Sequence, residues 1–89
     1  MMTNKTYSQV VSNRIVALCK KRGISVHKLA GMSGISQAGL EHLVNGRTFD
    51  PKLRTIHKVA NAFNMTPAEF LDFKEFNDYS FDEEADDDE

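Results

Sequence analysis

Apolar residues recur every three or four positions along most of this chain, which is the period of an α-helix. No segment shows a convincing strand pattern. The expected helices cover about residues 7–21, 26–32 and 37–45, then a fourth with apolar positions between 53 and 63, and a fifth that begins after residue 66. Five short helices with short connections predict a compact all-α bundle.

Polar residues and glycines mark where these helices begin and end. Thr6 with Gln9 three positions later is a capping-box pattern, and Thr66 with Glu69 repeats it. Serine side chains can cap helix N-termini, and glycine can end a helix in a left-handed conformation. The other expected boundary residues are Ser25 and Ser36 as N-caps, Asp50 as candidate N-cap of the fourth helix, and Gly23, Gly34 and Gly46 as stops or turns.

The second and third helices share one apolar seam. It consists of Leu29, Ala30, Ile35, Leu40, Leu43 and Val44. The opposite side of the third helix has no evident role in a core, and carries Gln37, Ala38, Glu41, His42 and Asn45. Two short helices joined by a tight turn, the second with such a face, are the layout of a helix-turn-helix, whose second helix enters the DNA major groove.

An ordered series of short motifs resembles the phage Cro and lambda-repressor family of helix-turn-helix proteins. The series consists of Leu29-Ala30, Gly34-Ile35-Ser36-Gln37, Leu40 with Leu43, Asn45-Gly46-Arg47 and Pro51, and residues 55–71 look like the family's fourth and fifth helices. The resemblance covers about residues 8–71. It implies a five-helix DNA-binding domain, placed at residues 6–72, that works as a dimer on a palindromic operator.

Three positions depart from the family pattern. Members often carry a glutamate at the position of Val44 and a basic residue at that of Cys19, which pair between the first and third helices. Both residues are apolar here, so we expect them to pack together inside, without the desolvation cost of a buried ion pair. At the position of Val26, at the start of the second helix, family members frequently carry a glutamine that binds phosphate. Gly39 lies inside the third helix, where glycine costs about 0.8–1 kcal/mol relative to alanine. Either a close backbone approach, to DNA or to another helix, compensates this cost, or the front of the helix is loose in the free protein.

The third helix and its flanks supply the candidate DNA contacts. Glutamine can pair with both N6 and N7 of adenine, which makes Gln37 the main candidate for reading sequence. The expected base contacts are Gln37, Ala38, Glu41 and His42. The expected phosphate contacts are Lys28, Ser36, Asn45, Arg47, Thr48, Lys52 and Arg54. The alternative is an ordinary solvated face, which is our expectation for Arg14, Lys20, Lys21 and Arg22.

Charge divides the chain into two parts. Residues 1–71 contain ten Lys or Arg and three Asp or Glu, whereas residues 72–89 contain one Lys and ten Asp or Glu. The basic part suits a polyanionic partner. Residues 73–89 form an aromatic and acidic tail, expected to be disordered at least from residue 82, although Phe73 and Phe76 are spaced to extend the fifth helix. The tail can be a solubility segment, a competitor of DNA, or a docking segment for a protein partner.

Several other functions are disfavoured by the composition. Cys19 is the single cysteine, so there is no intrachain disulfide framework. The three histidines and Cys19 are not at metal-ligand spacing, and no cofactor motif or enzyme active-site motif occurs. No apolar run is long enough to span a bilayer, and the start of the chain is polar, which leads us to expect a cytoplasmic protein without a membrane partner.

The leading hypothesis is therefore a sequence-specific transcriptional regulator, a repressor, that binds double-stranded DNA as a homodimer. Aromatic residues are favoured at interfaces, and the candidate dimer surface contains Phe70, Phe73 and Phe76. The alternative is an antitoxin or a protein-interaction adaptor of the same fold, in which DNA binding is secondary or absent.

Overall fold

The computed structural model of this chain describes residues 6–47 and 50–81. Its helices are α1 (Tyr7–Arg22), α2 (Val26–Ser33), α3 (Gln37–Val44), α4 (Leu53–Ala62), α5 (Pro67–Leu71) and α6 (Lys74–Asn77). These described residues contain no strand, so the all-α prediction is confirmed. The disorder expected from residue 82 onward falls outside the described residues.

Local side-chain hydrogen bonds begin α1 and α5 as the sequence predicts. The Thr6 hydroxyl accepts from the Gln9 amide at 3.2 Å, and the Gln9 side chain accepts from the Thr6 amide at 3.1 Å. Thr66 and Glu69 form the same reciprocal pair at the start of α5, at 3.0 and 2.9 Å. Each capping box satisfies two backbone N–H groups that would otherwise lack a partner inside the helix.

The start of α4 differs from the prediction. Asp50 is expected as its N-cap, but α4 begins at Leu53, and the N-cap is Lys52, which makes no side-chain capping bond. Lys52 is still extended, with ψ 149°. Asp50 is therefore two residues ahead of the cap position and out of register with the N–H groups that a cap must bind. The prediction for Asp50 is wrong.

Residues 72–77 also depart from expectation. Phe73 and Phe76 do not extend α5, because α5 ends at Leu71 and Phe73 adopts an extended conformation with φ −144° and ψ 155°. A separate short helix, α6, begins at Lys74 and contacts α1. The three-residue spacing of the two phenylalanines is correct for a helix turn, but only Phe76 lies within one.

One apolar core joins α1 through α5. Helix α1 contacts α2 and α3, while α4 contacts α2 and α5. The largest side chains in this core are fully buried: Ile15, Leu29, Leu40, Leu43, Val59, Phe63 and Phe70. Burying each such side chain contributes about 1.5–3 kcal/mol relative to leaving it in water. The core therefore fixes how α2 and α3 sit relative to the rest of the chain.

Cys19 and Val44 occupy the inner side of α1 and α3. Cys19 is 4% exposed, and burial raises the pKa of its thiol. Val44 is half-buried and packs against the same core cluster. The prediction of an inside location is confirmed for Cys19, and Val44 lies at the edge of the core. A buried, protonated thiol is a poor nucleophile, so Cys19 is a packing residue.

Aromatic rings that follow α5 cover the start of α1. The ring of Tyr7 has its centroid 5.7 Å from that of Phe76, 5.3 Å from that of Tyr79 and 5.4 Å from that of Phe81. We call these four residues the aromatic cluster. Phe81 remains 57% exposed.

Phe70 does not form part of a dimer surface, which corrects the prediction. It is the buried residue of α5, and its side chain is 0% exposed because α5 directs it into the core. A second copy of the chain cannot reach it without unfolding α5. Phe73 and Phe76 are half-buried, and the Arg14 guanidinium lies 4.8 Å from the centre of the Phe73 ring.

Arg14 and Arg22 hold helix ends and are not simply solvated. Arg14 donates from Nε to the Phe70 carbonyl at 2.9 Å and from a terminal nitrogen to the Glu69 carbonyl at 3.2 Å. Arg22 donates to the carbonyl of Phe63, the C-cap of α4, at 2.9 Å. Both cations thus satisfy carbonyls at helix C-termini, where the helix dipole also favours positive charge. The expectation of a solvated helix end is wrong for Arg14, which is half-buried, whereas Arg22 is exposed and also binds a carbonyl.

Across the described ranges, none of the helices is both long enough and apolar enough to cross a bilayer. The same residues contain no group of three or more His, Cys, Asp or Glu side chains arranged to hold a metal ion.

Candidate nucleic-acid interface

The turn between α2 and α3 is built from a serine cap on each helix and one glycine. The Ser25 hydroxyl accepts from the Lys28 amide at 3.0 Å and starts α2. Gly34 ends α2 with φ +77°, a left-handed conformation that residues with a side chain rarely adopt. Ser36 then starts α3, its hydroxyl accepting from the Gly39 amide at 3.1 Å. The chain therefore turns over the three residues 34–36, which is the compact turn that the helix-turn-helix pattern predicts.

Helix α3 has one buried and one exposed side. Leu40 is 0% and Leu43 2% exposed, and α3 packs against both α1 and α2. The opposite side is exposed along its length and carries Gln37, Ala38, Glu41 and His42, which we call the α3 outer strip. Positions 37, 38, 41 and 42 share one helix face because residues four apart are neighbours. All four predicted base-contact residues thus lie together at the surface.

Two hydrogen bonds hold the side chain of Gln37. Its Nε2 donates to Oε2 of Glu41, one turn further along α3, at 3.0 Å. Its Oε1 lies against Nδ1 of His27, the second residue of α2. Gln37, the main candidate for a base contact, is therefore held by one partner on α2 and one on α3. Sequence reasoning missed His27, because no local pattern relates positions ten residues apart.

Gly39 fits tightly against the cap of its own helix. A Cβ placed at this position would lie 3.0 Å from the Ser36 hydroxyl oxygen and 3.6 Å from Cγ2 of Ile35. The Ser36 side chain thus lies beside Gly39, which is otherwise exposed. The sequence left open whether an approaching molecule or a loose helix explains Gly39, and in the structure its own N-cap side chain fills the space.

The predicted phosphate contacts precede and follow the α3 outer strip in the sequence. Lys28 belongs to α2, Ser36 caps α3, Asn45 and Arg47 follow α3, and Lys52 and Arg54 open α4; all six are exposed, and we call them the phosphate-contact set. Thr48 falls outside the described residues. Within residues 6–47 and 50–81, no ion pair engages the four cations of this set. Their charges are thus directed at solvent.

The segment after α3 is fixed by α1. Gly46 has φ +73°, and the Arg47 amide donates back to the His42 carbonyl at 2.9 Å. Ser8, a buried residue of α1, donates its hydroxyl proton to the Gly46 carbonyl at 3.4 Å. A Cβ on Gly46 would lie 3.3 Å from Cγ of Gln9. The backbone that carries Arg47 is therefore supported by the start of α1.

The family and one curated relative point to the same kind of protein. The Cro/C1-type HTH DNA-binding domain family matches residues 14–75. HTH-type transcriptional repressor RghR of Bacillus subtilis (strain 168) is 41% identical over 58 residues, which are 65% of this chain and 42% of that protein. The chain thus spans less than half the length of this relative.

Two solved structures share the fold. An HTH_3 family transcriptional regulator from Vibrio cholerae superposes with a TM-score of 0.67 at 26% identity, over 81% of this chain and 38% of that one. The prophage Lp1 protein 11 superposes with a TM-score of 0.72 at 24% identity, over 89% of this chain and 100% of that one. The second likeness, at this identity, concerns the fold alone.

Proposed function

This chain belongs to the Cro/C1-type helix-turn-helix DNA-binding domain family, and on that premise we propose that it is a sequence-specific transcriptional regulator that places α3 in the DNA major groove. The observation that carries the proposal is the two-sided character of α3. Leu40 and Leu43 anchor it in the core, while the α3 outer strip faces solvent. A helix with its side chains is about 10–12 Å across and the major groove is about 12 Å wide, so such a helix can enter it.

The α3 outer strip offers a distinct chemistry for each base. Gln37 can accept from N6 and donate to N7 of adenine, while the methyl group of Ala38 suits the methyl group of thymine. His42, one turn after Ala38, can donate to guanine N7 or to a phosphate. Glu41 can accept from cytosine N4, and in the structure it already holds Gln37. We therefore assign Gln37 the leading role in base recognition.

The phosphate-contact set supplies affinity without sequence information. Lys28, Arg47, Lys52 and Arg54 are exposed cations that can neutralise phosphates, and each neutralised phosphate makes binding weaker as salt rises. Asn45 and the Ser36 hydroxyl can donate to phosphate oxygens. The Ser36 oxygen accepts a backbone bond, and its own proton is still available for donation.

Repression and dimerisation belong to the proposal as well. A relative with 41% identity is a transcriptional repressor, and occupation of a promoter by a bound dimer would exclude polymerase. A homodimer on a palindrome would place its two α3 helices about 34–36 Å apart, one turn of DNA. With Phe70 buried, we assign the contact between copies to the half-buried Phe73 and Phe76 together with the exposed Phe81.

The experiment that tests this proposal separates base contact from phosphate contact. Duplexes bound by the wild-type protein are first selected from a random pool, and affinities for the consensus and its single-base variants are measured at several salt concentrations. Gln37→Ala should reduce discrimination at one base pair by about 5- to 150-fold. Arg47→Ala should weaken binding to every sequence alike and lower the salt slope by about 1.

Two exposed residues away from α3 provide matched controls. Asn61→Ala removes an exposed amide from α4, and Lys21→Ala removes an exposed charge from the end of α1. Both should leave affinity and discrimination close to wild type. Identical behaviour of the Gln37 and Arg47 variants would contradict the division of roles. A protein that binds no duplex but purifies with a protein partner would instead favour the antitoxin or adaptor function.

A further inference from the structure

His27 and Gln37 join the two helices of the helix-turn-helix through their side chains. His27 is exposed in the first turn of α2, and Gln37 is the exposed first residue of α3. Nδ1 of His27 is in hydrogen-bonding contact with Oε1 of Gln37. The two residues are ten positions apart, so the bond exists only when the turn between the helices is formed.

Glu41 sets the orientation of the Gln37 amide group, and His27 matches that orientation when its Nδ1 carries the proton. The carbonyl oxygen Oε1 can only accept, so His27 must carry its proton on Nδ1 and donate it. The carboxylate of Glu41 can only accept, so it must face the amide nitrogen Nε2, as it does at 3.0 Å. Turning the amide over would place oxygen against oxygen at Glu41, and it would require the proton of His27 to move from Nδ1 to Nε2.

We propose that His27 is a positioning residue for base recognition: it donates to Gln37 and, with Glu41, fixes which end of the Gln37 amide meets a base. This inference rests on the proposed function, because it presumes that Gln37 reads the major groove. Glutamine recognises adenine only when its oxygen faces N6 and its nitrogen faces N7. A fixed amide enters the groove in one of its two orientations, and the other is suppressed.

The contacts leave capacity for the base itself. Oε1 has a second lone pair beyond the one used by His27, and Nε2 has a second proton beyond the one used by Glu41. Gln37 can therefore keep both protein contacts while it accepts from N6 and donates to N7. Holding the side chain before binding removes part of the entropy cost of ordering it on DNA.

Helix stability does not account for a histidine at this position. His27 is exposed and belongs to the first turn of α2, where the helix dipole disfavours positive charge. The helix is already capped by Ser25, whose hydroxyl accepts from the Lys28 amide. Among the described residues, the side-chain contact of His27 is the one with Gln37, which belongs to the α3 outer strip.

The test compares His27→Ala with His27→Asn on the duplexes selected by the wild-type protein. Alanine removes the donor, whereas the Asn amide places an N–H near the position of Nδ1. His27→Ala should lower discrimination about three- to tenfold, and only at the base pair that Gln37→Ala also affects. His27→Asn should restore most of it. In the double variant with Gln37→Ala, the change at His27 should have no further effect at that base pair.

A measurement without DNA addresses the contact itself. Nitrogen-15 NMR of the imidazole in the intact, unbound protein should show the Nδ1–H tautomer for His27, and Gln37→Ala should shift the population toward Nε2–H. An Nε2–H tautomer in the wild-type protein would overturn the inference. So would a His27→Ala effect that is equal at all base pairs, or additive with Gln37→Ala.

The outcomes distinguish this inference from the function on which it rests. If Gln37→Ala changes base preference and His27→Ala does not, only the positioning role of His27 fails. If Gln37→Ala changes no base preference while the duplex is still bound, the assignment of base reading to Gln37 fails, and His27 has no base contact to position. Thermal unfolding of each variant checks that these exposed substitutions leave the fold intact.

Discussion

Helices α2 and α3 have the same length and the same kind of N-cap, but the proposed function gives them different roles. Each has eight residues, a serine N-cap, an interior glycine and two buried side chains. Helix α2 buries Leu29 and the small Ala30, whereas α3 buries Leu40 and Leu43 and exposes Gln37 at its start. Length and capping therefore do not distinguish α3, the helix that is proposed to read DNA, from α2. Two leucines anchor α3 in the core, and this orientation turns its polar strip toward solvent.

The largest expected effect comes from removing the anchors of the two helices. Leu29→Ala and Leu40→Ala each delete a side chain that is 0% exposed, and each should lower the free energy of unfolding by about 2–5 kcal/mol. Chemical denaturation followed by circular dichroism measures the change. Any loss of DNA affinity should then match the loss of folded protein, since neither leucine reaches the surface.

Leu53→Ala is the matched control for these two variants. Leu53 is 75% exposed at the start of α4, and its truncation should change stability by less than about 0.5 kcal/mol. A comparable loss in the control and the core variants would refute the anchoring role assigned to Leu29 and Leu40.

The serine caps separate stability from DNA contact. Ser25→Ala and Ser36→Ala should each cost about 1 kcal/mol, whereas glycine at either position should cost only a few tenths. Glycine still removes the hydroxyl that is proposed to reach phosphate from position 36. Ser36→Gly should therefore weaken binding to all sequences alike while the protein stays stable, and Ser25→Gly should not. Equal affinities of the two glycine variants would remove Ser36 from the phosphate-contact set.

The smallest expected effect distinguishes the two interior glycines. A Cβ at Gly31 of α2 would have no heavy atom within 4 Å, so Gly31→Ala should gain about 0.8–1 kcal/mol from helix propensity. A Cβ at Gly39 of α3 would lie 3.0 Å from the Ser36 hydroxyl oxygen and disturb the cap. Gly39→Ala should therefore gain clearly less, or lose stability. Equal gains in thermal unfolding would show that the cap shifts without cost.

Local rules explain why much of the fold could be predicted. The capping boxes at Thr6 and Thr66 act over three residues, and they are present as expected. The same holds for Gly34, whose positive φ ends α2. The prediction for the start of α4 failed because Asp50, although its side chain could cap a helix, does not occupy the N-cap position. The extension of α5 failed because Phe73 leaves the helical conformation after Asp72.

The residues of the candidate site could be predicted from the sequence, but the hydrogen bonds between them and the rest of the protein could not. The exposure of Gln37, Glu41 and His42 agrees with the pattern, because apolar positions on the same helix already point the other way. The bond between Gln37 and His27 could not be predicted, since it depends on the angle at which α3 meets α2. The support of Gly46 by Ser8 spans 38 residues and has the same origin.

The sequence by itself determined the helices, their serine and threonine caps, the buried seam of α2 and α3, and the identity of the outward side chains on α3. These features follow from interactions between residues a few positions apart, so the local sequence pattern is sufficient to predict them. Only the tertiary structure decided that Arg14 and Arg22 bind carbonyls of distant helix ends, that Phe70 is internal, and that His27 holds Gln37. The physical reason is that a charged or polar side chain bonds to a partner that the folded chain brings close to it. The neighbouring residues in the sequence do not determine which partner that is.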